Sequence, residues 1–402
     1  MFKSLNFKVI LFGFIFTFFS SFGQSYFLGL FNSSIRDALS ISHGQFGSIY
    51  ASATLLSSFL LIWIGKKIDD VNIIKFAFFV VIFLSISSFF FSKINSVVYL
   101  FIAIFLMRLF GQGLMSHTAS TTVSRFFDRS RGKALSTAWL GLSSAEFLLP
   151  ILVVYLLTFL NWRDLWVYIS FGIIIFLPLV SFFLVKNLKI DSREKSEDLK
   201  IKEKEIKQWR RSEVLKDYKF YIVSGNLLAM PWIFTGFAVF QSFILNSKNW
   251  GPYIIAQSFM AYSILSVISL SLAGFLIDKY SSRKLLIFMN IPIFFAVIVL
   301  IFFQSPISSF IFLGLMGMTN GFANVLGSAT WAELYGVKYI GGIKAMTSAL
   351  MVFSTAFGTA MFGFLIDKGF TIEEIASVSG FYIATMFILL FLIKNRLNPK
   401  YL

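Results

Sequence analysis

Long apolar runs separated by short polar and basic stretches set the pattern of this chain. Twelve runs can be drawn, at approximately 8–31, 45–65, 72–91, 97–121, 134–158, 165–185, 219–243, 252–276, 285–303, 307–331, 343–366 and 374–393. A helix needs about 20 mostly apolar residues to cross a bilayer. Backbone polar groups cannot stay unpaired in hydrocarbon, so helices are the expected form, and the runs are too long for barrel strands. The pattern predicts an all-α integral membrane protein of twelve transmembrane helices. They fall into two pseudo-symmetric six-helix halves, residues 1–185 and 219–402, joined by a charged linker at 186–218. The first run has a Lys-containing start, like a signal peptide. It is long, lacks a clear small-x-small cleavage site and is followed by further spans, so it reads as the first helix.

Composition agrees. Charged residues make up only 13% of the chain, about half the share usual in a soluble domain, so the outer surface must itself be apolar. The 53 phenylalanines suit a lipid-facing surface. There is no cysteine, which excludes disulfides, zinc-thiolate sites and thiol catalysis. His43 and His117 are far apart in sequence and suggest no metal site. No cofactor is expected.

The net charge of +16 could suggest nucleic acid. Its distribution points to a membrane instead, because the basic residues sit in short loops between apolar runs. With both termini in the cytoplasm, the external loops hold only Arg36, Lys93, Arg163, Lys248 and Lys368. The other basic residues, Arg108 apart, lie in cytoplasmic segments, as the positive-inside rule requires. Within the linker, Leu199, Ile206 and Trp209 offer a weak apolar face for the headgroup region.

A short loop signature occurs twice. Gly65-Lys66-Lys67-Ile68-Asp69 and Gly274-Phe275-Leu276-Ile277-Asp278 each follow the second run of their half and precede the third. Gly111 and Gly321, then Arg131-Gly132-Lys133-Ala134 and Gly342-Ile343-Lys344-Ala345, repeat at nearly the same offset. Two homologous halves are a known transporter plan. Gly363–Lys368 copies Gly274–Lys279 letter for letter. Three spans separate the two, which puts them on opposite faces, so Gly363–Lys368 reads as a helix end that happens to match.

On these residues the chain resembles the major facilitator superfamily over nearly its whole length. The second loop matches the family pattern through Gly274, Asp278, Lys279, Arg283 and Lys284, whereas the first has Asp70 where a base is usual. Arg108–Gly113 looks like the family's fourth-helix arginine motif. Arg125–Lys133 looks like its basic loop, and Asn161-Trp162-Arg163 like the turn before the sixth helix. Among subgroups the chain looks most like bacterial carriers akin to monocarboxylate and oxalate/formate transporters. The resemblance implies a multi-pass protein of the bacterial inner membrane, functional as a monomer.

Charges inside a spanning helix are costly and usually face a cavity or a partner. Arg108 lies about ten residues, or about 15 Å, into the fourth helix. Glu146 lies at a similar depth in the fifth. One reading has Arg108 attracting an anionic substrate, with Glu146 as its resting partner or as a proton carrier; the other is a buried ion pair joining two helices. His117 is either a proton relay or a hydrogen-bonded histidine. The remaining substrate-binding candidates are neutral: Gln24, Tyr26 and Gln112 in the first half, Thr235, Asn320 and Asn324 in the second. Gly65, Asp69, Gly274, Asp278, Arg283 and Arg131 are the gating candidates, the aspartates pairing with bases or helix N-termini. Glu333 reads as a gate or loop contact.

The leading expectation is a secondary carrier working by alternating access, moving a small organic anion with protons. A drug-type proton antiporter is the alternative, weakened because Gly141–Glu146 lacks the Gly-x-x-x-Gly-Pro pattern typical of that class. A membrane enzyme would need a nucleophile–base or metal cluster, and a sensor a soluble output domain; neither is visible. Expected partners are the small-molecule substrate, protons and membrane lipid, with no nucleic acid.

Overall fold

The structure is a computed structural model that describes residues 2–127, 131–186, 207–336 and 338–398. The side chains of residues 2–5, 69, 131, 132, 278, 328 and 341 are outside that description. Among the described residues there is no strand, and twelve helices are long and apolar enough to cross a membrane. They are α1 (Asn6–Gly23), α2 (His43–Lys66), α3 (Ile73–Ser92), α4 (Val97–Phe126), α5 (Lys133–Leu156), α6 (Trp162–Val185), α7 (Tyr218–Val239), α8 (Tyr253–Ile277), α9 (Ser282–Phe302), α10 (Ile307–Tyr335), α11 (Gly342–Asp367) and α12 (Ile372–Arg396). Every expected span has its helix.

The chain forms two compact units. The first holds α1–α6 together with Ala238–Ser242 and Thr359–Lys368; the second holds the rest of α7–α12. In the first, α1 lies on α5. Thr17 Oγ1 donates to Ala138 O at 2.6 Å, and Gly141 lets the Phe14 carbonyl come so close that a Cβ would collide with it. Small residues serve helix approach in lipid, where there is no hydrophobic drive between helices. α3 and α6 are joined by Ser85 and Ser170, each hydroxyl donating to the other's carbonyl at 3.0 and 2.8 Å. Trp166 is fully buried, its ring 4.4 Å from Phe91 and 5.2 Å from Phe31.

In the second unit, Gly317 and Gly321 bring α10 against the Tyr262 and Ser266 carbonyls of α8. Asn290 Nδ2 donates to Asn226 O at 2.7 Å, tying α9 to α7. An aromatic cluster of Trp209, Phe220, Trp331 and Tyr335 fills one end. Trp209 therefore lies in the core, not in a headgroup-facing surface as the linker pattern suggested; Leu199 and Ile206 are outside the described residues. Phenylalanines such as Phe275 and Phe381 stand on the outside of the bundle, 76% and 77% exposed. That exposure is stable only against an apolar solvent.

The first helix departs most from expectation. The run 8–31 is not one helix. After a tight 3-10 turn at Ser21–Gly23, Gln24 takes an extended conformation, φ −79° and ψ 150°. A four-residue helix at Ser25–Leu28 and another 3-10 turn at Gly29–Phe31 follow. The amides of Phe27 and Leu28 both turn to the Gln24 carbonyl, which leaves the Gly23 carbonyl free of its usual helical partner.

Candidate functional site

The freed carbonyl belongs to the best-defined polar site in the first unit. Arg108 is 4% exposed. Its Nη1 donates to Gly23 O at 3.1 Å and to Ser25 Oγ at 3.3 Å. Ser25 Oγ also accepts from the Tyr50 hydroxyl at 3.0 Å, and the guanidinium carbon lies 5.5 Å from the Tyr50 ring centre. The Arg108 Nε is buried with no acceptor. Among the described residues no carboxylate is paired with Arg108.

Two backbone irregularities build this site. One is the break in α1. The other is a π-helical segment in α4, Met107–Met115, a wide turn of the kind often found at functional positions. They meet where Gly23 touches Gly111. A Cβ on Gly23 would collide with Met107 O and the Gln112 amide, and one on Gly111 would stand 2.8 Å from Gly23 N. Gln112 is half-buried beside this contact, and Gln24 half-buried at the break itself.

Glu146 is buried, but the expected pairing with Arg108 is absent. Its charge acts at a distance on the phenol of Tyr26, on the short helix that follows α1. Tyr26 is itself buried, and its carbonyl accepts from Gln241 Nε2 at 2.9 Å.

His117 Nε2 lies 3.0 Å from Gly65 O. A carbonyl can only accept, so this nitrogen carries the proton. The ring packs over Gly65, 3.3 Å from where a Cβ would sit. Arg125 Nη1 donates to Ile68 O at 3.1 Å, so α4 holds the first loop twice. In the second loop Gly274 faces open space. There Glu333, expected as a gate or loop contact, accepts from Ser282 N at 2.8 Å and Arg283 N at 3.3 Å. A carboxylate at a helix N-terminus satisfies free amides and complements the dipole. Arg283 Nη1 reaches Leu397 O at 3.2 Å and Asn398 Oδ1 at 2.7 Å. The side chains of Asp69, Asp278 and Arg131 lie outside the description.

Gly363–Lys368 is not an idle match. Asp367 accepts from Ser42 Oγ at 2.6 Å, His43 N at 3.0 Å and Gly44 N at 2.8 Å, capping the start of α2. Gly363 and Gly47 bring the two backbones together at His43 and Thr359.

The second unit contains a cavity of about 330 Å³, at the small end of ligand sites. Asn320, Asn324, Pro231, Trp331 and Lys344 are among its lining residues. Asn320 Nδ2 donates to Ser266 Oγ at 3.1 Å. Thr235 is buried and is not in the cavity wall. Sequence reasoning missed Lys344 and Trp331 as lining residues, although Lys344 stood in the repeated loop before the eleventh run. It also missed Gly23, Ser25 and Tyr50, which sit in apolar runs without any charge to mark them. Among the described residues no group of three or more His, Cys, Asp or Glu could hold a metal.

Twelve helices fit to span a membrane, a buried cation with no carboxylate partner among the described residues and a small, mainly apolar cavity fit a secondary transporter. The sequence matches the Major Facilitator Superfamily over residues 13–358, and the chain belongs to that family. Among solved structures, the nucleoside transporter NupG shares 13% identity at a TM-score of 0.68, covering 97% of this chain and 98% of its own. A bacterial homolog of the human lysosomal transporter Spinster, inward-facing and occupied, shares 15% identity at 0.66, covering 98% and 95%. No curated protein matches the sequence. At such identities the likeness is one of fold.

Proposed function

We propose that this transporter moves a small organic anion by alternating access, with Arg108 as the anion's anchor. One observation carries the reading. A guanidinium 4% exposed in the first unit has no carboxylate partner among the described residues and keeps one N–H without an acceptor. Guanidinium forks suit carboxylates, and a buried charge left in this state is a functional candidate by default. Gln24, Tyr26 and Gln112 are the proposed neutral contacts in the first unit; in the second, taken by itself, Asn320 and Asn324 of the cavity wall and the buried Thr235 are the candidates.

Proton coupling is proposed through Glu146, by a different route from direct competition for Arg108. Gly23 and Ser25 hold Arg108, and Tyr26, next in the chain, lies within the field of the Glu146 carboxylate. An anion that draws Arg108 away loosens the α1 break and alters the surroundings of the Glu146 carboxyl. His117, with its Nε2 proton committed to Gly65 O, fits a loop brace better than a relay. The loop residues Gly65, Asp69, Arg131, Gly274, Asp278 and Arg283 are proposed gating elements, supported by the ties that hold each loop in its own unit.

A second reading is favoured by the cavity. Two carboxamides beside a tryptophan suit a neutral, hydrogen-bonding ring system, and one neighbour in fold is named a nucleoside transporter. Uptake of labelled carboxylates and nucleosides into proteoliposomes, with and without a pH gradient, separates the two. The anion reading expects carboxylate uptake that is driven by acidifying the outside medium and loses that drive in Glu146→Gln. Nucleoside uptake alone sinks it, and an unchanged pH response in Glu146→Gln removes the coupling role.

A further inference from the structure

We infer that Trp209, from the linker between the halves, is a positioning residue for the wall of the second unit's cavity. Trp209 is 7% exposed. Its backbone N–H donates to the Tyr335 carbonyl at 3.0 Å, and its ring meets the Tyr335 ring edge-on at 5.4 Å. Tyr335 is stacked on Trp331, centroids 6.0 Å apart and planes 13° apart, and Trp331 lines the cavity. Three rings thus run without a gap from the linker to the cavity wall.

The linker end is fixed on both sides of Trp209. Gln208 Oε1 accepts from Lys338 N at 2.9 Å. The same side chain lies against Gly336, whose φ of +80° ends α10 in a conformation that other residues rarely adopt. Lys207 Nζ lies 4.4 Å from the Trp209 ring centre and bridges to Glu213 at 2.8 Å. Farther on, Asp217 Oδ2 accepts from the Tyr335 hydroxyl at 3.3 Å. Residues 207–217 therefore clasp the end of α10 by its backbone, its last ring and the turn after it. Edge-on and offset-stacked rings prefer defined geometries, so a displacement of Trp209 is passed to Trp331 through Tyr335.

The consequence for transport rests on the cavity being a substrate site, but the geometry is testable without any substrate. The chain has no cysteine, so a single introduced thiol reports alone. Ser348→Cys lines the cavity, and Ala38→Cys, exposed in the first unit, serves as the control. Each is labelled with N-ethylmaleimide in the purified full-length protein, in the parent and in Trp209→Leu and Trp209→Phe. The expected result is a several-fold change in labelling rate at Ser348→Cys in Trp209→Leu, near-parental labelling in Trp209→Phe, and no change at Ala38→Cys. Equal rates at Ser348→Cys in the parent and Trp209→Leu overturn the inference, as does an equal change at the control. Tyr335→Leu, which cuts the same ladder one step nearer the cavity, replaces Trp209→Leu if that variant does not fold, with the same outcomes deciding. Because no transport is measured, failure here leaves the anion reading standing, and failure of the anion reading leaves Trp209's role standing.

Discussion

At the scale of single residues, Arg108 is the costly one. Insertion scales put an Arg at the centre of a spanning helix at about 3 kcal/mol. A hydrogen bond to a charged group returns about 1.5–3 kcal/mol, so the bonds to Gly23 and Ser25 offset the cost and leave Nε available. Arg108→Lys keeps the charge but loses the planar fork. Uptake of the preferred anion should fall by roughly tenfold or more, the equivalent of about 1.4 kcal/mol. Glycines give predictions of opposite sign. Gly23→Ala forces a Cβ onto the α4 backbone and should cost at least the roughly 1–3 kcal/mol of ordinary overpacking. Gly274→Ala, facing open space inside a helix, should be neutral or stabilising by about 0.5–1 kcal/mol. Thermal unfolding in detergent reads both. On the linker, the hydrogen bond from Lys207 holds the Glu213 carboxyl below its ordinary range. The folded form thus gains from the bridge above the ordinary Glu value and loses it as pH falls through the lowered one. Protection of the Arg210 amide, which donates to Glu213 at 2.8 Å, should decline over that acid range after correction for intrinsic exchange. Glu213→Gln should remove the decline.

At the scale of elements, the site is made by two helices that stop being regular. Twelve spans were legible because hydropathy is a property of each run by itself. The break at Gln24 and the wide turn of α4 were not, because each depends on backbone brought from elsewhere: Gly23 needs Gly111 opposite it. Arg108 stood out as a charge in an apolar run. Its relation to Glu146 was misread because position along a helix fixes depth, while the direction a side chain takes depends on how the helix is rotated in the bundle. Glu146 is buried without Arg108 as its partner. The two loops differ in a way the sequence did not foretell: the first glycine is packed by His117, the second is open. Asp367 is the other surprise, since the letter-for-letter match read as a helix end also reinforces the Ser42 cap of α2. Asp367→Ala should destabilise the protein by about 0.5–2 kcal/mol, the range for a lost N-cap. Asp367→Asn should cost less, because it retains an acceptor. An equal effect of the two in thermal unfolding would assign the contribution to charge and not to the hydrogen bonds.

At the scale of the whole molecule, composition, duplication and charge bias led to a twelve-span carrier, and the family match and the fold agree. The choice of cargo rests on chemistry local to this chain, and above all on a guanidinium with no carboxylate partner among the described residues. The direct measurement is uptake of labelled small carboxylates into proteoliposomes by the wild-type protein and by Arg108→Ala, each checked for intact fold by gel filtration and thermal unfolding. The account predicts uptake of at least one anion by the wild type and its loss in Arg108→Ala. Uptake by a folded Arg108→Ala protein at the wild-type rate would contradict it.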